Sequence, residues 1–510
     1  MVSTRADDVI RFSYTTSVGL VLLFVVCDGG AGTVVGGSCH VKVRPGLRAP
    51  CVTAIARTAS VALIAASLVV GPQDGASAQS PPRPNILIIV ADDQRATGTL
   101  EVMPNIRRLF VRRGTRFTRA FATTPLCCPS RASIFTGQYA HNHGLKSNIA
   151  DYPGFMDAGS EFQRSTLQRY LKRAGYRNAI FGKYLNRWDM SVDPPYFHKW
   201  AIIGGLDYYG MSGNVGGEPR TITGYNTDYI TRKAVRFVRH QEREDERPWF
   251  MYLAVKAPHA PYTPSLEYEG AAVPRWGGNP AVFESDRSDK PPFLQARSST
   301  YEQANGIRTK QLRTLMSVDD LADEVFRVMA TAQEQRDTLA LYISDNGYLW
   351  GEHGANRKLL PYIPSVRIPF LLRWPEHLDA GVKDDRTVAT IDVAPTIYAA
   401  AGITPRHVVD GTSVLGSRAR QRLLLEYYAQ PFGAFEWAST VTDDYQYTEY
   451  YGLDGYSEFR EYYDLNSDPW QLENIFGDAD PGNDPEAATL SAQLAADRAC
   501  RGTVGPAACP

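Results

Sequence analysis

The sequence predicts an α/β protein in which a large, mixed, mostly parallel β-sheet is sandwiched by helices, with a small antiparallel-sheet subdomain at the C-terminus. Three observations predict this. Short continuous apolar runs recur from Pro84 onward, each closing on a polar cluster; helical periodicities fill the intervals; and after about residue 415 the pattern changes to short aromatic alternations. Strands buried on both faces read as unbroken apolar runs, the pattern of a parallel sheet covered by helices.

In chain order, residues 85–90 (NILIIV) are the first buried-strand pattern and end in Asp92-Asp93. Residues 103–114 carry helical spacing at Ile106, Leu109 and Phe110, with Gly114 as the C-terminal stop. A second helix follows at 165–175. Residues 178–181 form a strand ending in Gly182-Lys183, and 249–255 a strand ending in Lys256-Ala-Pro-His259. The segment 273–299, rich in Pro, Gly and charge, reads as a surface loop. A long polar helix covers roughly 301–335. Residues 338–343 form the fourth strand, ending in Ser344-Asp345-Asn346-Gly347, and 392–402 an Ala-rich helix. Residues 436–441 and 445–450 suit antiparallel strands. In α/β sheets ligands sit beyond the carboxyl ends of the strands. Four strands here deliver Asp-Asp, Lys, His and Asp-Asn to that edge. Each cluster alone fits a turn; four converging in kind point to a site.

At 510 residues the chain has room for two or three domains. A formal net charge of -1 speaks against general nucleic-acid binding, which carries a basic excess. Near the N-terminus, residues 59–70 (ASVALIAASLVV) follow Arg48 and Arg57 and precede Ala76-Ser77-Ala78. That is the order of a signal peptide, and the run is too short to span a bilayer. The arrangement implies a translation start nearer residue 50, a targeting region over 1–78, and an exported mature chain with no stable membrane span. A membrane anchor built on the apolar stretch 17–27 is the alternative. Three of the seven cysteines lie upstream of the cleavage site. Cys500 and Cys509 suit a disulfide closing a short loop in an exported protein. The adjacent Cys127 and Cys128 are poorly placed to bridge each other and need another explanation.

The densest segment is Cys127-Cys128-Pro129-Ser130-Arg131, followed by Ala-Ser-Ile-Phe-Thr-Gly-Gln. Pro129 fits the first turn of a helix, which places residue 127 at a helix N-terminus, where free N–H groups favour anions. Arg131 adds a fixed positive charge. A buried structural cysteine is the bland account, and a thiolate nucleophile paired with a distant His is another. Asp92, Asp93, Asp345 and Asn346 offer hard oxygen ligands that suit Ca²⁺ or Mg²⁺ better than Zn²⁺; no Cys/His zinc spacing is present.

Cys-x-Pro-Ser-Arg followed by Thr-Gly resembles the signature of the type I sulfatases, within the alkaline phosphatase superfamily. Asp92-Asp93, Gly182-Lys183, His259, Ser344-Asp345-Asn346-Gly347 and Lys358 fall in the order that family uses. The resemblance runs from about Pro84 to about Asp478, through Asp392-Val-Ala-Pro-Thr396 and Tyr463-Asp-Leu-Asn-Ser-Asp-Pro469. It implies a catalytic domain over 84–414, a C-terminal α+β subdomain over 415–480 and a tail over 481–510. It also implies that a formylglycine-generating enzyme converts Cys127, before folding, into an aldehyde. One hydroxyl of the aldehyde's hydrate attacks sulfur, and the other then expels sulfate. Asp92, Asp93, Asp345, Asn346 and residue 127 would hold the metal, calcium by family preference with magnesium as the alternative. Arg131, Lys183 and Lys358 would neutralise the sulfuryl oxygens, and His259 would bind sulfate or protonate the leaving alcohol.

The sequence departs from the Gly-Lys-Trp-His of many arylsulfatases: it has Gly182-Lys183-Tyr184-Leu185-Asn186, with no His at 185. His141, His143, His353 and Asn186 are candidates to replace it. The departure resembles the branch of glucosamine-6-sulfatases and heparan endosulfatases, as do Cys-Cys-Pro-Ser-Arg, His141-Asn-His143 and Lys256-Ala-Pro-His-Ala-Pro261. The resemblance therefore implies a sulfated carbohydrate substrate, with a sugar 6-O-sulfate foremost, and a secreted, periplasmic or cell-wall location. A phosphodiesterase or phosphonate hydrolase of the same superfamily and a non-catalytic sulfated-glycan binder are the rival readings.

Overall fold

The computed structural model describes residues 83–149, 155–244, 247–429, 435–452 and 454–510, with the backbone of an antiparallel pair, Arg11–Thr16 and Gly19–Phe24. The segment 59–78 and Cys27, Cys39 and Cys51 lie outside the described residues. In the unit spanning residues 80–510, ten strands form one sheet. They are β1 (Asn85–Ala91), β2 (Thr115–Phe121), β3 (Arg177–Gly182), β4 (Lys199–Ile203) and β5 (Met211–Val215), then β6 (Glu218–Ile222), β7 (Trp249–Ala254), β8 (Thr338–Ser344), β9 (Phe370–Arg373) and β10 (Val382–Ala389). The order across the sheet is β10-β2-β9-β8-β1-β7-β3-β4-β5-β6. The central run from β8 through β4 is parallel throughout, while β9 and the hairpin β5-β6 enter antiparallel. The mixed, mostly parallel sheet expected from the apolar runs is therefore present.

Helices cover both faces: α1 (Cys127–Thr136), α2 (Leu167–Arg173), α3 (Asn226–Glu244), α4 (Tyr301–Thr331) and α5 (Val393–Ala401). Successive residues of a strand point to opposite faces, and β1 shows what that does. Ile86, Ile88 and Val90 join a core with Ile134 and Phe135 of α1, Leu171 of α2 and Ile397 of α5. Leu87, Ile89 and Ala91 join a second core with Phe237 of α3 and Leu312, Leu315 and Val318 of α4. Each Val, Leu, Ile or Phe among them stabilises the fold by about 1.5–3 kcal/mol on burial. A capping box starts α4: Thr300 Oγ1 accepts from Gln303 N at 3.3 Å, and Gln303 Oε1 accepts from Thr300 N at 3.1 Å. This helix ends at Thr331, four residues short of the expected boundary.

Two expectations need correction. The helix near 103–114 runs from Pro104 to Val111, and Gly114 does not stop it, since its backbone is not left-handed. A Cβ at Gly114 would lie 2.2 Å from Leu372 O, so glycine serves the close approach of β2 to β9. The segment 273–299 is also more than a surface loop. Ala281, Leu294 and Lys290 are fully buried, and Lys290 Nζ donates to Asp289 Oδ2 and Leu472 O, both at 2.7 Å.

Past residue 415, β11 (Leu423–Tyr427), β12 (Glu436–Val441), β13 (Tyr445–Tyr451) and β14 (Ser457–Asp464) form an antiparallel sheet in sequence order. Its core takes in Leu494 of α6 (Ala487–Arg498) and Phe121, Leu126 and Tyr139 around α1. The Cys500–Cys509 disulfide follows α6.

At the sheet's opposite end, Asn85 Nδ2 donates to Glu334 Oε2 at 2.7 Å, and Glu334 also meets Glu242 of α3. Burial, and then Glu334, pushes the Glu242 carboxyl up to about 7. A carboxyl raised in the folded state stabilises it most below the unfolded pKa, and that contribution is lost as pH rises through about 7. Glu242→Gln should therefore flatten the fall in Tm between about pH 5 and about pH 8. An unaltered fall would show that this pair is not its source.

Candidate active site

Four parallel strands end at one edge, and their following residues are tied to one another. Asp92 N donates to Ala257 O at 3.1 Å and Asp345 N to Ala91 O at 3.1 Å, while Lys183 N donates to Ala254 O at 2.9 Å. Asp93, left-handed at φ 75, donates its N–H to Asp345 Oδ1 at 3.2 Å and accepts from Asn346 Nδ2 at 2.8 Å. Gly182 has φ +111, and a Cβ there would sit 1.9 Å from Ala254 O. Only glycine allows the chain to deliver Lys183 at this spacing.

Residue 127 stands at the first position of α1, with Pro129 in the first turn as its sequence implies. Every residue of α1 is buried. The helix closes on left-handed Gly137, whose N–H donates to Ser133 O at 2.8 Å. Cys127 Sγ lies 2.7 Å from Lys358 Nζ and 3.4 Å from Asp92 Oδ1. Lys183 Nζ donates to Asp92 Oδ2 at 2.7 Å, Arg131 Nε to Asp345 Oδ2 at 2.8 Å, and Lys358 Nζ to Asp93 Oδ1. His259 Nδ1 donates to Ala260 O at 2.8 Å, which leaves Nε2 facing Asp93 Oδ2 at 3.9 Å. All nine residues singled out from the sequence thus meet at one place.

The charges oppose burial. Burial pushes the Asp92 carboxyl up, but Lys183, His259, Arg131 and Lys358 outweigh it and hold it well below the usual range. Asp345, pushed up by burial and then by Asp92, stays at about 6 despite Arg131. Burial pulls Lys183 down, yet Asp92 more than restores it, and Asp93 does the same for Lys358. Burial and Asp92 push the Cys127 thiol up to about 12, so the unmodified side chain is a neutral thiol near neutral pH.

The donor set fits a hard divalent cation. Ligand atoms of Asp92, Asp93, Cys127 and His259 lie within 4.8 Å of one another. Asn346 Oδ1 is buried with no hydrogen-bond partner, an unmet acceptor of the kind a cation satisfies.

A cavity of about 680 Å³ opens on Lys183 and His259. Its lining includes Trp188, Tyr427 and Phe435 and the cations Lys183, Arg187, Lys256 and Arg357, with no carboxylate among the described lining residues. Leu185, where the arylsulfatase His would stand, lines it too, and so does Asn186, whose Oδ1 is buried without a partner. The other replacement candidates are held elsewhere. His141 bonds Glu426 at 2.9 Å and Cys500 O at 2.8 Å, His143 contacts Ser133 Oγ at 3.2 Å, and His353 bonds Glu284 at 2.9 Å. Lys256 and Arg357 were legible only as neighbours of His259 and Lys358; nothing in their spacing separates them from surface cations.

A family model for sulfatases matches residues 84–403, and one for the C-terminal part of N-sulphoglucosamine sulphohydrolase matches 351–499. The chain belongs to the sulfatase family. An extracellular sulfatase SULF-1 homolog of Drosophila melanogaster is 33% identical over 348 residues, 65% of this chain and 31% of that protein. Human N-acetylglucosamine-6-sulfatase is 27% identical over 461 residues, 78% of this chain and 82% of the relative. The chain thus spans about half or less of the extracellular sulfatase homologs it matches, 48% for the Caenorhabditis elegans protein. Among solved structures, a complex with the substrate D-glucosamine-2-N,6-O-disulfate superposes with a TM-score of 0.70 at 22% identity, covering 81% of this chain and 97% of that one. The fold of this sulfatase-family chain is that of its relatives, including a phosphonate monoester hydrolase of Agrobacterium radiobacter, with a TM-score of 0.61 at 21% identity and coverage of 81% and 96%.

A ligand of the folded state at about 100 times its Kd adds about 2.7 kcal/mol of stability. Titration with Ca²⁺ after chelation should therefore raise Tm, and Asn346→Leu should remove most of the rise. A Tm indifferent to Ca²⁺ and Mg²⁺ alike would contradict the metal-site reading.

Proposed function

We propose that the protein hydrolyses sulfate monoesters on sugars, with 6-O-sulfated glucosamine units the foremost substrate. The observation that carries this reading is residue 127, buried among Arg131, Lys183 and Lys358, beside a cavity whose described lining is cationic and free of carboxylates. Such a lining selects an anionic ester. Its volume suits a sugar of one or a few units, and Trp188, Tyr427 and Phe435 offer aromatic faces for pyranose rings. The glucosamine-6-sulfatases among the relatives support the choice of sugar and position.

In this reading Cys127 is converted to formylglycine, whose hydrate supplies the attacking hydroxyl; the high thiol pKa disfavours the thiolate alternative. Asp92, Asp93, Asp345 and Asn346 would hold Ca²⁺, which when bound polarises a sulfate oxygen and lowers the pKa of the attacking group. The chain's own side chains do the rest. Arg131, with Nη2 buried and lacking a hydrogen-bond partner, and Lys183 and Lys358 offset charge on the sulfuryl oxygens as it develops. His259, its tautomer fixed by Ala260 O, presents Nε2 to the ester. A disulfide at Cys500–Cys509 and the extracellular sulfatases among the relatives support export through the 59–78 segment. Among the described residues no helix is long and apolar enough to cross a membrane.

Two measurements test the proposal. The tryptic peptide 120–131 from protein made in its native host should carry the mass of formylglycine at 127, and active protein with unmodified cysteine would refute the mechanism. On matched esters, sulfate should be turned over faster than phosphate or phosphonate. The reverse order would make the protein a phosphoryl-type hydrolase, and glycan binding without turnover in fully modified protein would make it a binder.

A further inference from the structure

We propose that Lys256 contacts the substrate on its alcohol side, where its ammonium group binds the departing oxygen and gives it a proton. This rests on the sulfate-ester reading above.

The side chain is 7% exposed and lines the cavity. The other lysines of the site each have a carboxylate partner, Asp92 for Lys183 and Asp93 for Lys358, and the fully buried Lys290 elsewhere in the fold has Asp289 and Glu284. Among the described residues Lys256 Nζ makes neither an ion pair nor a hydrogen bond, and it sits 5.7 Å from the centre of the Tyr208 ring. Tyr208 is itself fixed by its hydroxyl, which donates to His259 O at 2.7 Å. A buried cation without a carboxylate works against folding, so the fold alone gives no reason for it. An anionic or electron-rich ligand in the cavity does.

The side of the site follows from the topology. Lys358 lies between Cys127 Sγ and Asp93 and does not line the cavity; nor do Cys127 and Asp92. Lys256 and His259 come from the loop after β7, and both do line it. In an in-line displacement the attacking and departing oxygens lie on opposite sides of sulfur. With the attack coming from residue 127, the alcohol occupies the cavity. Lys256 then stands on the departing side, and Lys358 on the attacking side. As the deprotonated hydrate oxygen at residue 127 bonds to sulfur, the bond from sulfur to the alcohol oxygen breaks and its electron pair stays on that oxygen. A proton from Lys256 Nζ completes the alcohol, and the neutral amine regains a proton from water before the next turnover. Burial pulls the Lys256 pKa down to about 8, against the pull of Asp92, which eases proton release near neutral pH.

The test uses the full-length, modified protein with Lys256→Met and Lys256→Arg, assayed on sulfate esters whose alcohols span a wide range of pKa. Lys256→Met should lose under about 10-fold in kcat/KM on a nitrophenyl sulfate but about 100-fold or more on a sugar or alkyl sulfate. Lys256→Arg should not rescue the latter, because a guanidinium keeps its proton. Thermal unfolding of Lys256→Met should match or exceed wild type, since an unpaired buried charge has been removed. A loss equal across the series, rescue by arginine, or a clear fall in Tm would each overturn the assignment. Wild-type protein inert towards every sulfate ester would overturn the sulfatase reading as well, and thereby separates the two failures.

Discussion

Asp92, Asp93 and Asp345 are buried side by side at the edge of the central sheet, and the surrounding architecture answers the charge they carry. Burying even one ionised carboxylate costs several kcal/mol unless a cation and hydrogen bonds meet it. Here Lys183, Lys358 and Arg131 each arrive on a different segment: a strand end, a loop beyond β8 and the fully buried helix α1. The parallel order β8-β1-β7-β3 follows the same requirement, because it brings four strand ends to one edge. Removing one cation would leave a buried carboxylate short of compensating charge, a larger penalty than the pair's own net contribution.

The same cluster divides the site into two regions of different character. Around residue 127, cations and carboxylates neutralise one another and donors are mostly committed. In the cavity beyond Lys183, positive groups outnumber their partners and aromatic and aliphatic walls alternate with them. The first region suits a reaction that changes charge at a fixed point. The second suits a ligand that brings negative charge and a ring with it. The C-terminal sheet contributes to this second region through Tyr427 and Phe435, so the cavity is complete only when the two sheets pack together.

Much of this was legible in the sequence for a physical reason. Strands buried on both faces cannot hide their apolar runs, and Asp92-Asp93, Lys183, His259 and Asp345-Asn346 stand directly after four of them. The edge of the sheet was not legible: β4, β5 and β6 carry Gly, Pro and charge, since fewer neighbours ask them to be apolar. Gly114 looked like a helix stop because glycine serves both left-handed turns and close backbone approach, and these differ in backbone conformation, which one residue letter does not carry. Pro and Gly likewise marked 273–299 as surface, whereas Lys290 there is buried by contacts to residues nearly two hundred positions away. The histidines of the His141-Asn-His143 motif resembled catalytic groups, yet they tie α1 and the C-terminal sheet together through Glu426, Ser133 and Cys500.

The complete burial of α1 has a bearing on how the protein comes to be. Residue 127 has no exposed surface, and its helix is walled in by the β-sheet, by α5 and by the C-terminal sheet. No second macromolecule can reach that side chain once these layers have closed over it. Any enzymatic alteration at 127 is therefore a race against folding, decided once for each molecule while the chain is still open. A population made where the modifying partner is scarce would be a fixed mixture of two proteins with the same fold, and later exposure to that partner would not change their ratio.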